Sequence, residues 1–269
     1  MPHARVGDIE LYYELVDFTE PWKAGPAPLV FIHGLGGDHT MWQYQVPAFC
    51  AHFPTITIDL RGHGESTRPD RDFRIADMAL DVVRLLRALG VERAHLVGLS
   101  LGGMVVQQFA LDYPLATASL VLADTLCGTP TEFESVVRDA MRYIEDNGMA
   151  AVAQTRITNA FSDAVDPVMR DYMIDRVARN DKTAYVRAAR SAVGFSVCDR
   201  LAEIAAPALV IVGEEDRVTP PLLSENIAAR IPGARLVRIA GAGHISNLER
   251  PEEFNRAVRD FLSSTAQTA

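Results

Sequence analysis

Short, largely apolar runs recur along the chain and are separated by segments with a different rhythm. LVFIH (29–33), TITID (55–59), HLVGL (95–99), SLVLAD (119–124), ALVIVG (208–213) and RLVRIA (235–240) lack the strict in–out alternation of a half-exposed strand. They read as strands buried on both faces. Ahead of them, ARV and IELYYELV alternate on either side of Gly7 and Asp8, the pattern of a hairpin.

Helical spacing fills the intervals. Ile75, Met78, Val82, Leu85, Leu86 and Leu89 recur at three and four residues and predict a helix over 75–89, stopped by Gly90. Residues 101–112 run on from Ser100 without a breaker. Thr219 is placed to cap a helix over 219–231, with Pro220 at its first position. Phe254, Val258, Phe261 and Leu262 lie on one side of a closing helix over 251–263. Strands alternating with helices predict an α/β fold, a mostly parallel central sheet with helices on both faces.

Residues 125–200 break the rhythm. They are helical in pattern, rich in Met, Arg and Tyr, and contain no convincing strand. An interval of that length between two buried strands is too long for a simple loop. The expected organisation is a core domain of residues 1–124 and 201–269, with a helical cap over 125–200 inserted after the sixth strand.

With 269 residues, 48% of them hydrophobic, the chain can bury a large core. A formal net charge of −9 argues against nucleic acid and anionic membranes as partners. Cys50, Cys127 and Cys198 form no metal-type pair, and an odd number suits a reducing compartment. The N-terminus carries neither a basic leader nor a long apolar stretch. The expectation is a cytoplasmic protein with no metal and no cofactor.

Open parallel sheets place their sites beyond the carboxyl ends of the strands. Ser100 follows HLVGL, Asp216 follows ALVIVG and His244 follows RLVRIA. A serine hydroxyl needs a base to become a nucleophile, and a histidine needs an acid to fix its tautomer. Those roles fall to Ser100, His244 and Asp216. Asp124 also ends a strand and is the alternative acid; Asp216 is preferred because its loop directly precedes the histidine's strand. The turn GLSLG seats Ser100 between Gly98 and Gly102. Oxyanion donors are expected from the backbone N–H of Leu101 and of Leu35, the latter in HGLGGD. His33 and His63 read as loop-shaping residues.

These motifs resemble the α/β-hydrolase superfamily over nearly the whole chain. The resemblance rests on VFIHGLGGDHTMW, IDLRGHGES, GLSLGGMVVQQFA, LVIVGEEDRVTPP and GAGHISNLERPEEF. It is similar above all to small bacterial esterases and lactonases of the 3-oxoadipate enol-lactonase type. That resemblance implies metal-free hydrolysis of a small-molecule ester or lactone through an acyl-serine intermediate. It assigns Ser100, His244 and Asp216 to the triad and Leu35 and Leu101 to the oxyanion hole. Two other functions stay open: carbon–carbon bond hydrolysis of a diketone ring-fission product with the same triad, and a ligand-binding receptor without catalysis. A homodimer is compatible with either.

Specificity is expected in residues 125–200. Met141, Tyr143, Phe161, Met169, Tyr172, Met173, Tyr185 and Phe195 are the candidates for an apolar pocket. Arg138, Arg156, Arg187 and Arg190 are the candidates for binding a substrate carboxylate.

Overall fold

In the computed structural model, the strands form one sheet in the order β1-β2-β4-β3-β5-β6-β7-β8. The structure describes residues 2–20, 22, 25–128 and 131–265, without the side chains at 131–138 and 140. The strands are β1 His3–Val6, β2 Ile9–Val16, β3 Leu29–Ile32, β4 Thr55–Ile58, β5 Ala94–Leu99, β6 Thr117–Ala123, β7 Ala208–Gly213 and β8 Arg235–Ile239. β1 with β2 and β2 with β4 pair antiparallel; every other pairing is parallel. The predicted α/β sheet is present.

Successive residues of the central strands feed two cores. Val30, Ile32, Leu96, Leu120 and Leu122 point into one cluster; Leu29, Phe31, Val97, Val121 and Ala123 point into the other. Both faces are therefore dry, which is why these strands read as continuous apolar runs. β8 departs from that reading. Arg235, Leu236 and Arg238 are exposed, because this strand has only β7 as a neighbour and lies at the rim of the sheet.

The helices are α1 Val46–Phe49, α2 Ile75–Ala88, α3 Leu101–Asp112, α4 Thr131–Ala160, α5 Pro167–Ala178, α6 Lys182–Ala192, α7 Pro221–Arg230, α8 Ser246–Glu249 and α9 Pro251–Thr265. α2 buries Ile75, Met78, Val82, Leu85 and Leu86 as its spacing predicts, and Gly90 follows it in a left-handed conformation. α3 is buried almost all round, so it lies in the middle of the fold. α7 begins at Pro221 with Pro220 as its cap, one residue later than predicted, and Thr219 is not its cap.

Between β6 and β7 the described residues form α4, α5 and α6 and no strand, apart from an isolated bridge between Gly128 and Ser196. α4 is bent at Gly148, whose φ is 74°. The two ends of the segment meet at a disulfide, Cys127–Cys198, which spans 71 residues with the Cα atoms 4.9 Å apart. Val197 N donates to Cys127 O at 2.8 Å beside it. This pair runs against the reading of the three cysteines as those of a reducing compartment. Spacing alone suggested that reading, because only the fold brings both ends of the segment to one point. Cys50 stays free and buried. Among the described residues no helix is long and apolar enough to cross a membrane.

Candidate active site

The sheet order reverses around β3, with β4 on one side and β5 on the other. Crevices at such a reversal lie outside the carboxyl ends of the strands. The loop after β3 and the turn after β5 both emerge there.

That turn is tight. Ser100 has φ 55° and ψ −115°, a conformation disfavoured for a residue with a side chain. It is fastened from both sides: Ser100 N donates to Ala123 O at 2.9 Å, and Thr125 Oγ1 donates to Ser100 O at 2.7 Å. The flanking glycines are needed for space. A Cβ on Gly98 would strike the carbonyl of Gly102, and one on Gly102 would strike the carbonyl of Ile32. Leu101 is the first residue of α3, so its N–H belongs to the set that has no partner within the helix. Leu35 lines the same pocket from the loop after β3.

His244 reaches Ser100 from the loop after β8. Its Nε2 lies 2.9 Å from Ser100 Oγ, and its Nδ1 lies 2.9 Å from Asp216 Oδ2. Asp216 is itself held. Val218 N and Thr219 N each donate to Oδ1 at 2.8 Å, and Thr219 Oγ1 donates to Oδ2 at 2.8 Å. Thr219 Oγ1 also lies 3.1 Å from His244 Nδ1. Sequence reasoning missed this residue by assigning it to a helix cap.

The two candidate acids separate on geometry. Asp124 is fully buried at the end of β6, and its carboxylate accepts from Gly213 N at 2.9 Å and pairs with Ser246 Oγ at 2.6 Å. It braces the Asp216 and His244 loops together, whereas Asp216 is the one hydrogen bonded to the imidazole. Charge separates them too. Burial and the Asp216 charge push Asp124 up to about 8. Burial also pushes Asp216 upward, but the charge and hydrogen bonds of His244 and Thr219 win and hold it below the usual carboxylate range. Burial lowers the pKa of His244, and Asp216 more than reverses this, so the imidazole ends above 6.5.

His33 and His63 are buried and shape loops, as expected. His33 Nε2 accepts from Leu60 N at 3.0 Å and its ring meets that of His63 edge-on. Burial keeps both neutral, with His63 down to about 3.

The pocket over Ser100 has about 470 Å³ of empty space, its open mouth included. Of the eight apolar candidates in 125–200, Met173 alone lines it, joined by Ile157, Ala160 and Val177. Phe161 and Tyr185 are buried in the core, Phe195 packs on the other face of the sheet, and Tyr143 is exposed. Of the four arginines, Arg156 lines the pocket. Arg187 donates to the carbonyls of Pro69 and Asp70, and Arg190 pairs with Glu145 at 3.6 Å. The side chain of Arg138 lies outside the described residues.

Comparison with known proteins agrees with this architecture. A family model described as the alpha/beta hydrolase fold matches residues 27–251. The 3-oxoadipate enol-lactonase 1 of Acinetobacter baylyi is 30% identical over 239 residues, 88% of each chain. The crystal structure of the enol-lactonase from Burkholderia xenovorans LB400 superposes with a TM-score of 0.91 at 31% identity, covering 97% of this chain and 100% of that one. A hydrolase from Pseudomonas aeruginosa PA01 superposes with a TM-score of 0.87 at 32% identity, covering 97% and 98%. The sheet order, the strained turn after β5 and these matches have one reading: this chain belongs to the α/β-hydrolase fold family.

Proposed function

We propose that the chain hydrolyses carboxylic esters or lactones through an acyl-serine intermediate. The observation that carries this is the continuous line from Asp216 through His244 to Ser100, opening on an apolar pocket. Ser100 Oγ attacks the carbonyl carbon while His244 Nε2 takes its proton, and the imidazolium is stabilised by Asp216. The backbone N–H groups of Leu101 and Leu35 receive the charge that develops on the carbonyl oxygen. Each such donor contributes about 3–4 kcal/mol to the transition state. The tetrahedral intermediate collapses, and the leaving alkoxide takes the proton from His244. A water then attacks the acyl-serine, giving its proton to His244, and Ser100 recovers that proton as the acid departs. In a lactone the leaving alcohol and the acyl group are one molecule, which opens into a hydroxy acid or its keto form.

The helical segment 125–200 serves as the cap in this reading, since Arg156, Ile157, Ala160, Met173 and Val177 form its side of the pocket. The names of the enol-lactonase relatives support ester or lactone cleavage.

The test is labelling and turnover together. A fluorophosphonate probe is expected to label Ser100 in the folded protein and to leave Ser100→Ala unlabelled. Hydrolysis of 4-nitrophenyl esters by Ser100→Ala should fall by a factor on the order of 10⁴ or more. Faster cleavage of a ring-fission diketone than of any ester or lactone would move the assignment to carbon–carbon hydrolysis. No labelling and no turnover would overturn the enzymatic reading.

A further inference from the structure

The oxyanion donors of the proposed reaction are both backbone N–H groups, and the two are held very differently. Leu101 N–H is fixed by the helix that it opens. Leu35 stands in the loop after β3, among Gly34, Gly36 and Gly37. Glycine has no Cβ to limit its backbone rotation, so this loop keeps a peptide plane in one direction only when something ties it down.

The ties come from three directions. Residues 34–37 make a β-turn: Gly37 N donates to Gly34 O at 3.0 Å, and Gly36 takes φ 78°, as the third residue of a type II turn requires. A trans peptide points its C=O and its N–H in opposite directions. Gly34 O is turned inward to Gly37 N, so Leu35 N–H, in the same plane, is turned outward. It meets no acceptor in the protein among the described residues, and Leu35 lines the pocket over Ser100. From the core, His33 Nδ1 lies 2.7 Å from Gly34 O, and His33 Nε2 accepts from Leu60 N, which puts the proton on Nδ1. From the helical segment, Asn180 Nδ2 donates to Gly36 O at 2.9 Å. Gly36 O belongs to the plane whose N–H closes the turn. One side chain of the helical segment is thus joined to Leu35 N–H through two peptide planes. Asn180 follows α5, and its Nδ2 also donates to Val177 O at 3.1 Å, which fixes the direction of the amide. The turn lies close under the same segment, since a Cβ on Gly36 would come within 2.9 Å of the Tyr185 ring.

We infer that Asn180 is a positioning residue for the proposed reaction: it holds the 34–37 turn from the helical segment and so aims Leu35 N–H at the carbonyl oxygen under attack. This rests on the reading of Ser100 as the nucleophile and of Leu35 as an oxyanion donor. A second contact between the same two elements supplies the comparison. Arg176 on α5 pairs with Asp38 and donates to Thr40 Oγ1 at 2.9 Å. Asp38 is fixed without it, because Thr40 N and Thr40 Oγ1 both donate to its Oδ1. Arg176 therefore fastens the helix to the loop without directing the turn.

The readout is the ratio of kcat/KM for 4-nitrophenyl butyrate over that for O-4-nitrophenyl thionobutyrate. Sulfur is a weak hydrogen-bond acceptor, so the thionoester draws less on the oxyanion donors. Losing such a donor costs about 10²–10³ in kcat, and one left in place but misaimed should cost about tenfold. Asn180→Ala is expected to lower kcat for the oxygen ester by that factor, with KM within about twofold of the wild type, and to narrow the ratio by about as much. Asn180→Asp keeps the shape but sets a carboxylate against the carbonyls of Gly36 and Val177, and should lower both at least as far. The rate of Ser100 labelling by a fluorophosphonate, whose P=O uses the same donors, should fall with the ester kcat. Arg176→Gln should leave the ratio at its wild-type value. An unchanged kcat and ratio in both Asn180 variants overturns the inference. So do equal losses on the two esters, or the same narrowing in Arg176→Gln, since these mark a general loosening of the helical segment. A wild type that prefers the oxygen ester no more than hydroxide in water does, with Ser100 still labelled, overturns it and leaves the hydrolase reading standing. No turnover of either ester together with no labelling overturns the hydrolase reading and this inference with it.

Discussion

Ser100, Asp216 and His244 stand on loops that leave the sheet and are tied to one another at nearly every step. Asp124 links Gly213 to Ser246, Thr219 links Asp216 to His244, and Thr125 holds the carbonyl of Ser100. The helical segment over them is attached differently, by apolar side chains such as Val152, Ile157, Phe161 and Tyr185 that join the core, with discrete polar contacts added. Arg176 meets Asp38 and Thr40, Asn180 Nδ2 donates to Gly36 O at 2.9 Å, and Arg187 reaches the 69–70 turn. At its far side Glu249 accepts from both Ser162 N and Gly243 N, and His244 N donates to Ala160 O at 2.6 Å. The disulfide ties its ends. One region fixes side chains through a chain of hydrogen bonds; the other is held by apolar packing and a few polar contacts. Under the proposed reaction, the reacting groups belong to the first and substrate choice to the second.

Asp216→Asn gives the largest expected effect. The asparagine preserves shape and can still accept from Val218 N and Thr219 N. Its amide, however, would face His244 Nδ1 as a donor and favour the wrong tautomer. A fall in kcat of about 10⁴ is expected with melting temperature nearly unchanged. A loss smaller than about tenfold would show that the imidazole is held by something other than Asp216.

The second contrast tests the attachment of the helical segment. Cys198→Ser opens a loop of 71 residues, and the chain-entropy account puts the loss at about 4 kcal/mol, or about 10 °C in Tm. A dithiol reductant should do the same to the wild type by thiol–disulfide exchange, taking Cys127 and Cys198 to thiols as it becomes the disulfide. Cys50→Ser, lacking a disulfide partner, should not reproduce the shift caused by reduction. Fluorophosphonate labelling of Ser100 at 25 °C should survive, because the strand-end loops do not use this bond. An unchanged Tm after reduction would show that the ends of the segment are held together by packing alone.

The same division governs what the sequence made legible. The central strands were readable because both their faces are buried, which leaves no polar alternation to interpret. Ser100, Asp216 and His244 were readable because each ends a strand, and a strand's end is a place on the sheet. Thr219 was misread because a threonine before two prolines suits a helix cap as well as a carboxylate brace. In residues 125–200 apolar side chains face the core, the sheet or the pocket with the same helical period. Periodicity does not separate Met173, which lines the pocket, from Phe161, which is buried behind it. The four arginines were equivalent for a related reason: their partners lie far off in sequence, Glu145 for Arg190 and the 69–70 turn for Arg187.

Asp124→Asn gives the smallest expected effect, and it tests whether one carboxylate or two acts electrically on His244. The proposed base works when its imidazole is neutral, so kcat/KM should rise with pH through the His244 pKa, at a midpoint above 6.5. Both Asp216 and Asp124 favour the imidazolium wherever they are ionised. Asp124, pushed up to about 8, holds its proton below that pH. A protonated Asp124 donates to Ser246 Oγ and accepts from Gly213 N, and an asparagine amide makes the same two bonds. The 3.4 Å contact from Ser246 N is lost in the exchange. Asp124→Asn should therefore lower kcat/KM by no more than about threefold and leave the acid limb where it is. If Asp124 were ionised, removing its charge would destabilise the imidazolium and move the limb to lower pH. A downward shift of about half a unit or more, measured on a neutral ester, would show that both carboxylates set the proton affinity of the base.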